Sequence, residues 1–194
     1  CKKCQVAFLY PRITKNDINQ IYKGKYYSSS HKLGNKLIDF ILGWELSPYD
    51  KYICQVVKGG RKLLDVGCGY GDFLLKMQKR GWDAYGIEPF LDAVNVSRKR
   101  IGTERILKGE LPKVNFRSKN FDVVTLWGVL EHLPNPSIYI SRIHDLLRKR
   151  GYLIMEIPNL DSLILSIFGN NYNWLSYNEH VFYYSKKGVK KFLY

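Results

Sequence analysis

Three glycines at alternate positions form a turn that could hold a ligand. Gly67, Gly69 and Gly71 follow a mostly apolar run, residues 63–66, and precede a helical pattern that begins at Asp72. Glycine allows the backbone to turn sharply at positive φ and allows a ligand to approach closely. A helix that begins there adds unpaired backbone N–H groups and a positive dipole end. The turn therefore suits a nucleotide cofactor, although two glycines at this spacing are as typical of an ordinary tight turn.

Two acidic residues narrow the choice of cofactor. The dinucleotide fingerprint requires its third glycine at position 72, where Asp72 stands, and a carboxylate there would repel a pyrophosphate. Glu88 ends the next predicted strand, 21 residues after Gly67, where its carboxylate can accept hydrogen bonds from both ribose hydroxyls. The alternative for Glu88 is a solvated strand-end carboxylate before Pro89. Together these positions argue against a dinucleotide.

Two histidines are candidates for proton transfer. His132 follows Glu131 in the loop after a predicted strand, and His180 precedes a helix that the pattern predicts to begin at Ser185. An imidazole has a pKa suited to general base catalysis near neutral pH. The alternatives are structural: Glu131 and His132 brace their loop, and His180 is a hydrogen-bonded residue that fixes its turn. Both interpretations stay open for each histidine.

These residues need a scaffold that brings strand ends together. From residue 62 onward, apolar strand patterns alternate with amphipathic helical patterns, which indicates a doubly wound α/β sheet with mostly parallel strands. The predicted strands are residues 62–66, 83–88, 105–108, 121–126 and 151–157. The predicted helices are residues 72–80, 90–100 and 137–147, with a further helical region at 32–57. Ligands bind beyond the carboxyl ends of such strands, and each motif falls there.

At this point the sequence resembles the class I S-adenosylmethionine-dependent methyltransferases over roughly residues 60 to 184. The matching segments are LLDVGCGYGDFL (63–74), YGIEP (85–89), KGELP (108–112), FDVVTLWGVLEHLPNP (121–136) and GYLIMEIPN (151–159). They are most similar to the small-molecule branch, with its ubiquinone-type O-methyltransferases and deoxysugar C-methyltransferases. The resemblance implies a Rossmann-like fold and S-adenosylmethionine as cofactor. Because the family's sheet ends with two further strands, it also implies that this chain lacks them.

The resemblance implies a role for each matching position. Asp65 and the backbone of the glycine turn would hold the methionine end of the cofactor, and Glu88 would bind the ribose. Glu110, where many relatives have Asp, would reach the adenine amino group. The full set of cofactor-binding positions is Asp65, Gly67, Cys68, Gly69, Gly71, Glu88, Pro89, Glu110, Leu111, Leu126 and Trp127. Within it we expect Leu111 to pack on the adenine ring, Leu126 and Trp127 to line the cofactor, and Cys68 to be a packing residue.

The acceptor is only weakly encoded. Methyl transfer from a sulfonium mainly requires alignment, and a base helps only when the acceptor is an unactivated hydroxyl or a carbon acid. The resemblance implies oxygen or carbon of a small metabolite, with a nucleotide-linked sugar as one candidate. No Asn/Asp-Pro-Pro-aromatic sequence and no Pro-Cys dipeptide follows the fourth strand, which disfavours adenine or glutamine amino groups and pyrimidine C5. Aromatic residues that could line an acceptor pocket or cover the cofactor are Tyr26, Tyr27, Tyr172, Trp174, Tyr177 and Tyr183.

The composition leaves rival functions open. The chain has 194 residues, with 31 Lys and Arg against 17 Asp and Glu, for a net charge of +14. Such a charge favours anionic partners, so an RNA-modifying methyltransferase is one alternative and a non-catalytic cofactor-binding domain is another. The basic residues are scattered along the chain, which favours an ordinary lysine-rich surface. No run of apolar residues is long enough to span a membrane, and a reducing cytoplasm is the expected compartment.

The leading segment carries a cysteine pair. Cys1 and Cys4 have the spacing of one zinc knuckle, but one knuckle supplies only two ligands. The segment resembles the zinc-binding region that precedes some of these methyltransferases, whose other cysteine pair lies upstream. We therefore expect no bound metal in this chain, which begins without Met and is expected to be a fragment. The predicted division is a leading segment at residues 1–30 and a methyltransferase domain at residues 31–194.

Overall fold

From residue 62 to residue 156 the strands and helices follow the order that the sequence pattern predicts. The computed structural model describes residues 1–11, 49–116, 120–168 and 180–193. The strands are β1 (Val6–Phe8), β2 (Lys62–Val66), β3 (Asp83–Glu88), β4 (Ile106–Lys108), β5 (Phe121–Trp127), β6 (Leu147–Glu156) and β7 (Phe182–Tyr184). The helices are α1 (Tyr49–Val56), α2 (Asp72–Lys79), α3 (Leu91–Ile101), α4 (Pro136–Leu146), α5 (Leu163–Phe168) and α6 (Lys186–Leu193). Short 3₁₀ turns cover Thr103–Arg105, Leu111–Lys113 and Leu130–His132.

Five parallel strands form the main sheet, in the order β4-β3-β2-β5-β6. The chain runs outward from β2 to β4 on one side and from β5 to β6 on the other. The connections therefore diverge between β2 and β5, and a crevice at the carboxyl ends of these two strands is the usual ligand site of such a sheet.

Apolar side chains cover both faces of this sheet, because successive residues of a strand point to opposite sides. Leu63 packs with Ile53 of α1 and Leu74 of α2, whereas the next residue, Leu64, packs with Ile143 of α4. The near-continuous apolar character of β2 and β5 follows from this double coverage.

The predicted fold class is confirmed, and most boundaries agree within one residue. The largest difference is β6, which begins at Leu147 rather than at the predicted residue 151. Leu147 pairs with Phe121, and the register then shifts so that Tyr152 pairs with Val123. The intervening run contains the exposed residues Lys149 and Arg150, and Arg150 has a φ of 63°. Because these charged residues interrupt the apolar pattern that identifies a buried strand, the sequence did not predict that β6 begins before residue 151.

A second, two-stranded sheet was not predicted. β1 pairs antiparallel with β7, so that Val6 lies opposite Tyr184. This pairing joins residues on either side of the predicted boundary after residue 30, and the described residues near that boundary end at 11 and resume at 49. Within the described ranges the main sheet ends at β6, and β7 pairs with β1 instead.

Among the described residues, no helix has both the length and the apolar character needed to cross a bilayer.

Candidate functional site

The glycine turn lies at the carboxyl end of β2. Gly67, Gly69 and Gly71 have φ values of 75°, 52° and 80°, a left-handed conformation that favours glycine. The N–H of Gly67 donates to the carbonyl of Ile87 at 2.8 Å, which ties the turn to β3. A Cβ added at Gly69 would meet no atom within 4 Å. The turn therefore presents bare backbone to open space at the sheet edge where a ligand is expected.

Glu88 holds the same turn from the end of β3. Its Oε2 accepts a hydrogen bond from the N–H of Gly69 at 2.9 Å, and its Oε1 accepts one from the N–H of Phe90 at 3.0 Å. The residue is 2% exposed. A carboxylate offers about four acceptor positions, so one that accepts these two amides can also accept from ribose hydroxyls. The structure thus adds a backbone-fixing role to the predicted ligand role.

Asp65 is buried one strand away, on β2. The hydroxyl of Thr125 on β5 donates to its Oδ1 at 2.7 Å. Burial raises the pKa of Asp65 to about 7, the hydrogen bond from Thr125 lowers it, and the charge of Glu88 raises it. Sequence reasoning missed Thr125, although it is a hydroxyl residue within the otherwise apolar stretch Val123–Leu126.

Cys68 turns its side chain into the core. A Cβ added at Gly86 would lie 2.6 Å from the Cys68 sulfur, so the glycine on β3 makes room for the thiol. Burial raises the pKa of the thiol, with the charges of Asp65 and Glu88 acting in the same direction. The thiol is therefore kept protonated and is a poor nucleophile. Pro89, by contrast, is exposed directly after Glu88.

Three further predicted cofactor residues occupy different surroundings. Glu110 is half-buried and pairs with Lys113, with 2.9 Å between Oε2 and Nζ. Leu111 and Leu126 are buried in the core with Leu64 and Ile143. Both side chains are almost fully enclosed, as the carboxyl groups of Asp65 and Glu88 also are.

Trp127 ends β5 in an aromatic cluster. Its ring stacks on Tyr49 with 4.3 Å between centroids and an interplanar angle of 5°, and Phe73 meets it edge-on at 5.1 Å. Sequence reasoning did not single out Tyr49. It put Phe73 in the predicted helix at residues 72–80 without predicting that its ring contacts Trp127.

The two candidate histidines lie together. The rings of His132 and His180 have 4.7 Å between centroids, and one ligand atom from each of Glu131, His132 and His180 lies within 4.8 Å of the others. The N–H of Val181 donates to the carbonyl of Glu131 at 2.8 Å and ties the two segments to each other. Burial raises the pKa of Glu131 to about 7, and the charge of Glu156 adds to this. Tyr183 is buried with its ring 5.8 Å from that of His180.

The histidine cluster and the glycine turn belong to the same edge of the sheet. A Cβ added at Gly67 would lie 2.7 Å from Cγ2 of Val129, two residues before Glu131. The loop after β5 therefore lies directly against the turn after β2, at the point where the connections diverge. His132 lies three residues after Val129 on this loop.

Some predictions fall elsewhere or outside the described residues. Tyr26, Tyr27, Tyr172, Trp174 and Tyr177 lie outside them, as does the helical region before Tyr49. Both thiols of the leading pair are free, and the N–H of Cys4 donates to the sulfur of Cys1 at 3.4 Å. In the part of the chain that the structure describes, these cysteines do not belong to a cluster of three metal-ligating side chains.

Comparisons with known proteins agree with this architecture. A family model described as a methyltransferase domain matches residues 27–193. The ubiquinone biosynthesis O-methyltransferases of Pasteurella multocida and Acinetobacter baylyi are 32% and 29% identical over 139 and 121 residues, covering 62% and 58% of this chain. The matches cover 57% and 51% of those proteins, so the chain spans about half the length of the curated relatives it matches.

A solved structure has the same fold. It is an S-adenosylmethionine-dependent methyltransferase from Archaeoglobus fulgidus, with a TM-score of 0.60 and 21% identity. The superposition covers 79% of this chain and 71% of that one.

Proposed function

Because the chain belongs to the methyltransferase-domain family, we propose that the whole protein transfers the methyl group of S-adenosylmethionine to oxygen or carbon of a small metabolite. The domain is a class I methyltransferase domain whose cofactor is S-adenosylmethionine. The observation that carries the proposal is the pairing of an open glycine turn with the Glu88 carboxylate that holds it.

The residues at the turn fit this cofactor. Open space beside Gly69 suits close approach of a ligand to the backbone, and Glu88 suits the two ribose hydroxyls. Asp65 suits the positively charged methionine end, because a nearby cation favours the ionised form of a buried carboxyl. In this proposal the Gly67–Gly71 backbone and Asp65 hold the methionine end, and Glu88 holds the ribose.

When bound, S-adenosylmethionine supplies a methyl group on a positively charged sulfur. The chain's own task is to align an acceptor with that methyl group and to keep water out. The aromatic cluster around Trp127 shields one side of the crevice with apolar surface. His132 and His180 are the groups we assign to activation of the acceptor, because His132 lies on the loop that packs against the glycine turn and the ring of His180 contacts that of His132.

A small-molecule acceptor is supported by the two curated relatives above, both of which are named as ubiquinone biosynthesis O-methyltransferases. The chain covers about half of each, so the acceptor's identity rests on the whole protein. An O-methyl acceptor is the first choice, and a nucleotide-linked sugar belongs to the same class of small metabolites.

Calorimetry with S-adenosylhomocysteine tests the cofactor site. Glu88→Gln replaces an acceptor with an amide that must face the N–H of Gly69 or of Phe90, so we expect binding at least about 10-fold weaker than in the unaltered protein. Glu104→Gln, the same change at an exposed position, is the matched control. Equal affinity in the two variants would reject this assignment of the ribose site.

The acceptor needs a separate assay. Methyl transfer from labelled S-adenosylmethionine to catechol-type, sugar-nucleotide and RNA acceptors should label one of the small molecules. Labelling of RNA alone, with steep loss of RNA binding as salt rises, would contradict the proposed acceptor class.

A further inference from the structure

We propose that Glu131, His132 and His180 form a binding site for a divalent transition-metal cation such as Zn²⁺, beside the cofactor turn. The role of the cation rests on the proposed methyl transfer, whereas its binding does not. The sequence alone assigned no metal to these residues, because His180 lies 48 positions after His132 in the chain.

The geometry of the three side chains is close to that of a metal site. One ligand atom from each lies within 4.8 Å of the other two. Around a tetrahedral zinc ion with bonds near 2.1 Å, donor atoms lie about 3.4 Å apart. The widest separation of 4.8 Å between these ligand atoms therefore exceeds the tetrahedral value by about 1.4 Å, a distance that rotation of the side chains can close.

The buried carboxylate of Glu131 requires a partner. The carboxylate accepts a hydrogen bond from the backbone N–H of Glu131 itself, but its Oε2 is buried and has no hydrogen-bond partner among the described residues, and the residue is 2% exposed. In the same part of the chain no Lys or Arg forms an ion pair with it, and its electrostatic neighbours include the carboxylate of Glu156 and the hydroxyl of Tyr184. Buried charges are normally paired or bound to metals. A cation at this point would compensate the carboxylate.

The donor set selects the kind of metal. Two imidazoles and one carboxylate are typical ligands of catalytic zinc, whereas Mg²⁺ and Ca²⁺ prefer oxygen ligands throughout. Three protein ligands leave one position of a tetrahedral ion for water or an acceptor oxygen.

The backbone around the three residues is fixed before any ion binds. The hydrogen bond from Val181 to the Glu131 carbonyl, at 2.8 Å, holds the two ligand-bearing segments together. On the far side, the N–H of Leu160 donates to the carbonyl of Tyr184 at 3.0 Å, which anchors β7 next to the segment after β6. A site built on such a braced pair of segments needs only side-chain adjustment.

The open coordination position shows how the ion would contribute to methyl transfer. An acceptor hydroxyl bound at the open position loses its proton to solvent more readily, because a Lewis acid lowers the pKa of a bound hydroxyl. Its oxygen then forms the new bond to the methyl carbon, and the electron pair of the breaking carbon–sulfur bond stays with sulfur. The two histidines then act as ligands and not as a base.

Titration with Co²⁺, whose visible absorption reports its ligands, tests the site. The protein carries Cys1→Ser and Cys4→Ser, so that the free thiols do not contribute. We expect stoichiometric binding that Zn²⁺ displaces and Mg²⁺ does not. Glu131→Gln should weaken Co²⁺ binding by at least about 10-fold, since loss of outer-shell partners alone has effects of that size.

Two further variants separate this result from other causes. His132→Gln, at a half-buried position, should also lose Co²⁺ binding and guards against misfolding of Glu131→Gln. His144→Gln removes a histidine whose side chain is 90% exposed and should leave binding unchanged. Equal Co²⁺ affinity in Glu131→Gln and His144→Gln, or absence of stoichiometric binding, would overturn the proposal and favour the histidines as bases.

Failure of this site and failure of the proposed function give different results. Calorimetry with S-adenosylhomocysteine on the same variants reports the cofactor site, which we expect Glu131→Gln to retain. Co²⁺ binding without S-adenosylhomocysteine binding would support the metal site and reject the function. The reverse result would reject the metal site and leave the function standing.

Discussion

Replacing Gly69 with alanine separates the strain of the glycine turn from the loss of space for a ligand. The φ of Gly69 is 52°, and a Cβ there would meet no atom within 4 Å. The left-handed conformation costs about 1–2 kcal/mol for a residue with a side chain. In a domain of this size each kcal/mol lowers the Tm by about 2–4 °C. The stability loss of Gly69→Ala should therefore be modest.

The effect on the cofactor should be larger. The new methyl group would project into the space that we assign to S-adenosylmethionine, so we expect the affinity for S-adenosylhomocysteine to fall by at least about 10-fold, equal to about 1.4 kcal/mol. Gly59→Ala is the matched control. Gly59 has a φ of 77° and open space around it, but it precedes β2 at the opposite edge of the sheet. It should show the same drop in Tm with unchanged affinity.

A third glycine tests the steric part of the reasoning. Gly67→Ala has a comparable φ of 75°, but its Cβ would lie 2.7 Å from Cγ2 of Val129. We expect an added loss of about 1–3 kcal/mol from overpacking. Melting by circular dichroism and calorimetry on all three variants measure both quantities. If Gly69→Ala and Gly59→Ala bind S-adenosylhomocysteine equally well, the cofactor does not approach this turn and the reasoning is wrong.

Two further predictions concern buried carboxyls. Burial raises the pKa of Asp65 to about 7, so the folded state retains a proton that the unfolded state releases near pH 4, and stability should fall as pH rises from about 4 to 7. Asp65→Asn should flatten this part of the curve of urea midpoint against pH, and parallel curves would contradict the shift. Asp122→Ala removes the acceptor of the Lys62 N–H (2.7 Å) and the ion pair with Arg148 (2.6 Å), which should cost about 2 kcal/mol of unfolding free energy in urea titrations. An unchanged midpoint, or weakened S-adenosylhomocysteine binding from this opposite edge of the sheet, would count against the assignment.

Much of the fold was predictable because its signals are local. The apolar runs of β2 and β5 and the amphipathic face of α2 are properties of neighbouring residues, and they predicted the elements in their order. The glycines that begin α2 were recognised from spacing alone. β1 and β7 were not predicted, because three residues carry too little periodicity to identify a strand.

The candidate site likewise has features that the spacing predicts and features that only packing decides. Spacing alone put Glu88 at the end of a strand and His132 in the loop after another, and it predicted which edge of the sheet they share. It did not predict that the Glu88 carboxylate also binds two backbone amides, or that Leu126 is fully enclosed. These are consequences of packing, which depends on neighbours from other strands.

By itself, the sequence determined the glycine turn, its acidic partner at the next strand end and the alternation of strands and helices that predicts the fold class. The cofactor followed from the motifs that resemble the methyltransferases. Only the tertiary structure decided which distant residues meet: Thr125 with Asp65, Tyr49 with Trp127, and His180 with Glu131 and His132. Backbone preferences and periodicity act over a few residues, so they can be read along the chain. Contacts across 48 to 78 positions depend on the path of the chain through the whole sheet, which no local pattern records.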